Sequence, residues 1–514
     1  MSGSAGATGG AASVGGAGAG PGGAGGAQSG GGQGLAGSDG QAGGGQAGGQ
    51  GPGGSGEQAG SGGQCAVVTA KPDVDPWSMR LPSVGTGGVV TEKNGAFNDV
   101  FLQSPAIGGQ PVNYTRIGAR LEWGGTLVFF GLGANKASNV LDANDTGREV
   151  QVALYDPTRI RQPCAVDASC QTSTVSCGNS ITYLGWDPVQ GGDECNHGAK
   201  VLEHGAKGDA LRLVIQPLQW NPDWNRSDCT SSACGAQGVP VDVRYTFELR
   251  YLTPEVVELM TEVTSQESIS HPVTGQEFPT MYVAHGQNGP DLPLLLDAGG
   301  AQPAINTPAN DGFFYGDFTS PGPWVTWQNS QQNYGVALGH DQGITSFQGW
   351  RGDGKASPYF HNVRAHLAFG LPSGGTVRGL SYLALGGFST VQGSLNALRA
   401  RRPPFGHVDL PADGTTTTYV AGQPLAIGGW VLDSDPGSKV RVEIDGAVVS
   451  TLSVDTARPD VCAVYPAYPG CPLAGFVGSV PTTGLSACPH LMRVLATDTD
   501  GNETVLAERV LAPS

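Results

Sequence analysis

Residues Val241 to Tyr251 read Val-Asp-Val-Arg-Tyr-Thr-Phe-Glu-Leu-Arg-Tyr. Every odd position is apolar and every even one is charged or polar. Side chains alternate between two faces only along a strand, so this period of two dictates β-structure with one apolar face. In the next run, Val257, Leu259, Thr261 and Val263 alternate with Glu258, Met260, Glu262 and Thr264. Further strands are expected over Gly335 to Leu338, Asn362 to Phe369 and Gly379 to Leu385. A short helix is expected over Ser389 to Arg399, where Val391, Leu395 and Leu398 fall at helical spacing. Strands of this length build a core only by stacking faces. The expected class is therefore all-β, with a large antiparallel supersandwich as the main body.

Composition divides the chain. Gly supplies 84 of 514 residues, with the excess before Cys65. Residues 1–64 are rich in Gly, Ala, Ser and Gln and hold no Lys, Arg or aromatic residue. Such a segment buries too little surface to offset its ordering entropy, so it is expected to be a disordered tether. Residues 65–402 form the expected supersandwich. Pro403-Pro404 reads as a linker, and residues 403–514 have the size of an immunoglobulin-like sandwich. In that tail, Pro424 to Leu432, Val440 to Ile444, Ala447 to Val449, His490 to Ala496 and Thr504 to Val510 read as strands. Asp445-Gly446 between two of them is a hairpin signal.

Net charge is −17, from 44 acidic and 27 Lys or Arg residues. That balance argues against nucleic acid and against an anionic membrane surface. Arg399, Arg401 and Arg402 form a local basic run, read as a solvated linker. No apolar run is long enough for a transmembrane segment. Ten cysteines, at 65, 164, 170, 177, 195, 229, 234, 462, 471 and 488, form no C-x-x-C pair. Loop disulfides explain them best, which implies an oxidising compartment and an exported chain. Met1 is not followed by a basic and then an apolar region. The expectation is then that the true start lies upstream or that a leader was removed, and a Gly-rich tether suits a bacterial cell-surface lipoprotein. Pairing of the cysteines and oligomeric state are not legible from the chain.

Two polar segments carry the functional reading. The first, Ser138 to Gln151, lies between apolar runs and includes Asp145, Arg148, Glu149 and Gln151. The second is Trp186-Asp187-Pro188-Val189-Gln190-Gly191-Gly192-Asp193. An aromatic plane beside amide and carboxylate groups is what a sugar ring and its hydroxyls require. Asp145, Arg148, Gln151, Trp186, Asp187, Gln190 and Asp193 are therefore the candidate ligand contacts. The structural alternative is an Arg148–carboxylate brace to Asp145 or Asp193 that only fixes the loop. Trp220, Trp224, Trp324, Trp327 and Trp350 are further candidate platforms. Acid–base candidates are His204, His285, His340, His361, Asp187, Asp193 and Glu277, none within a named catalytic motif. Asp142-x-Asn144-x-Thr146-Gly147 copies half an EF-hand loop, but Ala153 stands where the bidentate Glu belongs. Calcium in another loop geometry stays open; no other cofactor is expected.

These segments, with Trp123 to Leu127, Glu277-Phe278-Pro279-Thr280-Met281-Tyr282 and Trp324 to Leu338, resemble a group of bacterial exported proteins. Their order is similar to the antiparallel supersandwich of galactose mutarotase-like proteins and related polysaccharide-active enzymes. The resemblance spans roughly residues 95 to 400. The catalytic His and Glu of mutarotases have no matching positions here, and Asp187 stands where Asn is expected before the Pro. The tail resembles bacterial immunoglobulin-like modules through Gly429 to Asp433, Val442 to Gly446, Arg458 to Val461 and Ala474 to Phe476. The expected function is extracellular carbohydrate binding or processing, with a polysaccharide or oligosaccharide as partner. An enzyme of this kind would be a polysaccharide lyase or glycoside hydrolase. The alternative is a non-catalytic cell-surface or adhesion protein with disulfide-braced loops.

Overall fold

The computed structural model describes residues 65–514, except 110–112, 142–149, 157–184, 188–197, 219–239, 285–288, 304, 306–312, 353–359, 413 and 415. Val67–Ser514 forms one compact unit. It is built almost entirely of antiparallel sheets, as the period-two runs predict.

The first sheet is a meander of β1 (Gly88–Asn94), β2 (Phe97–Gln103), β3 (Thr115–Arg120) and β4 (Thr126–Leu132). A seven-stranded sheet holds β5 (Val150–Leu154), β6 (Gly185–Asp187), β11 (His271–Ala284), β13 (Phe313–Thr319), β16 (Ser346–Gly352), β17 (Phe360–Ala365) and β18 (Leu367–Leu371). Its order is β13-β16-β17-β11-β5-β6, with β18 also on β11. An eight-stranded sheet holds β7 (Lys200–Lys207), β8 (Ala210–Gln216), β9 (Val243–Thr253), β10 (Val256–Ser265), β12 (Leu294–Asp297), β14 (Trp324–Gln328), β15 (Gly335–His340) and β19 (Thr376–Leu385).

One core joins these three sheets. Tyr245, Leu249, Leu259 and Leu383 of the eight-stranded sheet meet Met281, Val283, Phe347 and Val363 of the seven-stranded one. Leu102 and Ile117 of the meander close it. Most even positions of β9 and β10 are polar in sequence, yet none of them is exposed. Glu258 is fully buried, and its carboxylate accepts from Arg80 (3.0 Å) and Arg250. Glu248 accepts from Arg80 at 2.7 Å. This back face is covered by α1 (Phe388–Arg399), whose Val391, Leu395 and Leu398 pack with Trp324 and Tyr382.

The C-terminal residues make two smaller sheets. One is β20 (Phe405–Leu410), β22 (Leu425–Leu432) and β25 (Gly475–Val480). The other is β21 (Thr416–Tyr419), β23 (Lys439–Ile444), β24 (Ala447–Ser453), β26 (His490–Thr497) and β27 (Glu503–Pro513). Asp445 and Gly446 both take positive φ, as the tight β23–β24 hairpin demands. A short helix, α2 (Pro459–Val464), follows β24, and a disulfide joins Cys462 to Cys471. Cys65 and Cys488 are also disulfide-bonded.

The basic run before Pro403 is not a solvated linker. Arg402 is 3% exposed and donates from Nε to both oxygens of Asp341, at 3.1 and 3.2 Å. Tyr382 and Tyr468 donate to the same carboxylate at 2.8 and 2.7 Å. Arg399 pairs with Asp435, and only Arg401 of the three is exposed. Met260 and Leu380, on the back of the eight-stranded sheet, share a core with Phe405 and Tyr468. The chain must cross from one sandwich to the next under this apolar cover, so its charges are paired rather than hydrated.

Candidate functional site

The outer face of the seven-stranded sheet carries a polar row that crosses five strands. Gln151 on β5 pairs in register with Thr280 on β11, and Thr280 with Arg364 on β17. Arg364 pairs with Gln348 on β16, and Gln348 with Asp317 on β13. A parallel row follows two residues on. Tyr282 pairs with Asn362, and Asn362 with Trp350. Directly opposed residues share a face. The alternate residues Met281, Val363 and Phe347 lie in the core beneath.

Glu277 ties the polar row together. Strict alternation from Thr280 would send it to the core. The β5–β11 register shifts between Glu277 and Thr280, and that irregularity returns Glu277 to the outer face. Its carboxylate accepts from Gln151 Nε2, from Arg364 Nη1 and, at 2.9 Å, from the Tyr155 hydroxyl. Gln276 holds the backbone of Tyr155 on both sides, accepting from its N–H at 2.6 Å and donating to its carbonyl at 3.2 Å. Arg364 continues outward, donating to Gln348 Oε1 from Nε at 3.1 Å and Nη2 at 2.7 Å. Trp350 Nε1 donates to the same oxygen at 3.2 Å, and Gln348 Nε2 donates to Asp317 at 2.9 Å.

Exposure rises along the row. The side chain of Glu277 is 8% exposed, that of Arg364 29% and that of Asp317 65%. The inner end is a fixed anchor, and the outer end presents a guanidinium, an amide, a carboxylate and an indole. Among the described residues, Gln151 Oε1, Thr280 Oγ1 and Asn362 Oδ1 are buried without a hydrogen-bond partner. Burial, and then the Glu277 carboxylate, raise the pKa of Tyr155 well above the usual phenol value, against the lowering influence of Arg364. The phenol therefore keeps its proton at neutral pH and serves as a donor.

Of the residues singled out in sequence, Gln151 lies in this row. The backbones of Trp186 and Asp187 form β6, which pairs with β5 so that Trp186 stands opposite Ala153 and Asp187 opposite Val152. Ala153 in turn stands opposite Glu277. Asp145, Arg148, Gln190 and Asp193 lie outside the described residues, as do His285, Trp220, Trp224 and the Asp142–Thr146 loop. Glu277 and Trp350 belong to the site. Five other candidates, His361, Trp327, His340, Trp324 and His204, do not. His361 is fully buried and stacks on Trp327, with ring centroids 4.5 Å apart. His340 is buried too, and desolvation pushes its imidazole down to about 4. Trp324 packs under α1. His204 is exposed on β7, in the other sheet. Tyr155, Arg364, Gln348 and Asp317 were not singled out. The alternation Asn362-Val363-Arg364-Ala365-His366 does carry the signal for Arg364. Among the described residues, no group of three or more His, Cys, Asp or Glu side chains is arranged to hold a metal.

No protein-family model matches the chain, and no curated protein matches it. Among solved structures, it is similar to a polysaccharide lyase at 10% identity and a TM-score of 0.27, over 78% of this chain and 47% of that one. The chain thus spans about half the length of that lyase. It is similar to the Slr1438 protein from Synechocystis sp. PCC 6803 at 11% identity and a TM-score of 0.30, over 54% of this chain and 93% of that one. A heparinase III matches at 11% identity and a TM-score of 0.16, over 69% of this chain and 40% of that one. Scores this low leave the site's chemistry to be read from its own residues.

Proposed function

We propose that this chain is an extracellular carbohydrate-binding protein whose large sandwich recognises a polysaccharide on the outer face of the seven-stranded sheet. The observation that carries the reading is the in-register row from Gln151 to Asp317, braced by Glu277 and flanked by Trp350. Sugar recognition needs planar hydrogen-bonding groups held rigid beside an aromatic plane. Here a guanidinium, an amide and a carboxylate are fixed before any ligand arrives, which lowers the entropy lost on binding. The Arg364 charge is already met by Glu277, so the face suits a neutral glycan better than a polyanion. The disulfide between Cys462 and Cys471 supports an oxidising, extracellular setting. On this reading the large sandwich is kin to the mutarotase-like supersandwich, and the C-terminal sheets form an immunoglobulin-like module.

Calorimetric titration against a panel of neutral polysaccharides tests the proposal. Trp350→Ala should weaken binding at least about tenfold, the loss expected for one aromatic contact with a ring. Its thermal midpoint should stay near that of the parent protein. Absence of binding to every polysaccharide, or equal binding by Trp350→Ala and Arg364→Ala, would overturn it.

A further inference from the structure

The outer face of the four-stranded meander carries a cavity of about 470 Å³, remote in sequence from the Gln151–Asp317 row. Its size falls within the usual range of small-molecule sites. Charged lining comes from Lys93, Arg116, Arg120 and Lys136 on one side of the balance and Glu92 and Asp99 on the other. The local surplus is positive on a chain whose net charge is −17.

Both carboxylates are already engaged. Asp99 accepts from Arg120 Nε at 2.8 Å and Nη2 at 3.0 Å, and from Asn94 at 3.1 Å. Glu92 accepts from Arg116 Nη1 at 2.9 Å. The cations are not used up in return. Arg116 is 3% exposed, and its Nε–H is buried without a hydrogen-bond partner among the described residues. A buried donor left unsatisfied is costly unless something pairs with it. Lys136 is exposed at the rim, and its ammonium donates only to the neutral amide of Asn94, at 3.1 Å, among the described residues.

The walls are aromatic. The Arg116 guanidinium lies 4.0 Å from the ring centre of Phe101 and 5.0 Å from that of Phe129. Gly118 lets Phe101 lie against the sheet, since a Cβ there would stand 2.2 Å from the ring. These stacks hold the guanidinium in place while the ring edges and Val128 offer apolar surface.

We propose that this cavity is a second ligand site, specific for a small organic anion bearing a carboxylate. The carboxylate is held by Arg116 and Lys136, and the body of the ligand lies against Phe129 and Val128. Calorimetric titration with glucuronate, glucose and inorganic sulfate separates the alternatives. Glucuronate should bind, glucose should not, and sulfate should bind more weakly for want of a body. Lys136→Ala, at an exposed position, should weaken glucuronate at least about tenfold, the loss of one charge-assisted contact. Arg116→Lys keeps the charge but removes Nε, and should do the same. Arg364→Ala should leave glucuronate binding unchanged, so the outcome does not depend on the face proposed for polysaccharide. The site is refuted if glucuronate fails to bind at millimolar concentration, binds no better than glucose or sulfate, or is indifferent to both Lys136→Ala and Arg116→Lys.

Discussion

Asp341→Ala should be among the most damaging single substitutions in the described structure. The Asp341 carboxylate is 3% exposed and receives Arg402 Nε and the hydroxyls of Tyr382 and Tyr468. Burial alone would lower the Arg402 pKa, but the adjoining carboxylate outweighs it and holds the guanidinium charged. Removing that carboxylate leaves a cation in an apolar joint whose one remaining hydrogen-bond partner, among the described residues, is the Met79 carbonyl at 2.6 Å. Stranding one member of a buried ion pair costs about 3–5 kcal/mol. Two phenols that lose a buried acceptor add about 1 kcal/mol or more each. Contacts within one network are not additive, so about 5 kcal/mol is the working figure. That is a large share of the ~5–15 kcal/mol of a typical fold. Urea denaturation followed by tryptophan fluorescence reads it directly. The double substitution Asp341→Leu with Arg402→Met removes both charges and should recover most of the loss. If Asp341→Ala loses less than about 2 kcal/mol, the joint is not held as described.

Two further substitutions probe other features. Asp433 has its carboxyl pushed up to about 7 by burial and by Asp498 and Asp341. The folded state therefore keeps a proton that the unfolded chain releases near pH ~4. Its contribution is fully present below that unfolded value and is lost as pH rises through about 7. Asp433→Asn should leave stability at pH 4 little changed and raise it at pH 8, and urea midpoints at the two values check this. Gly118→Ala places a methyl 2.2 Å from the Phe101 ring and should cost about 1–3 kcal/mol through overpacking, seen as a lowered thermal midpoint.

The strands were legible because their alternation is local. Val243 to Tyr251 lie in β9 with the odd residues in the core, and Val391, Leu395 and Leu398 face inward from α1 as their spacing predicts. What covers a polar face is not local. Glu248, Arg250 and Glu258 read as solvent-facing, yet Arg80, about 170 residues earlier in the chain, reaches over them. The same limit applies to the site. Glu277 and Gln151 are both visible as polar residues in apolar runs, but their contact spans 126 positions. It also depends on a register shift that strict alternation hides. Arg364, Gln348 and Asp317 are unremarked singly and become a row only when β17, β16 and β13 are set side by side.

The two outer faces of the large sandwich differ in how their polar groups end. On the eight-stranded sheet the polar groups finish in ion pairs within the protein: Arg80 and Arg250 on Glu258, Arg378 on Glu262, Arg402 on Asp341. Those pairs sit beneath α1 and the C-terminal sheets, where a charge left unpaired would be heavily penalised. On the seven-stranded sheet the chain of contacts also begins buried, at Gln151 and Glu277. It ends differently, at Gln348, Trp350 and the 65%-exposed Asp317, whose carboxylate meets His366 Nε2 at 3.1 Å at an accessible edge rather than beneath a cover. A face built only for stability would gain nothing from a buried ionic anchor supporting exposed planar groups, because exposed pairs contribute little. Rigid support beneath an accessible end is instead what recognition of a polyhydroxylated ligand requires.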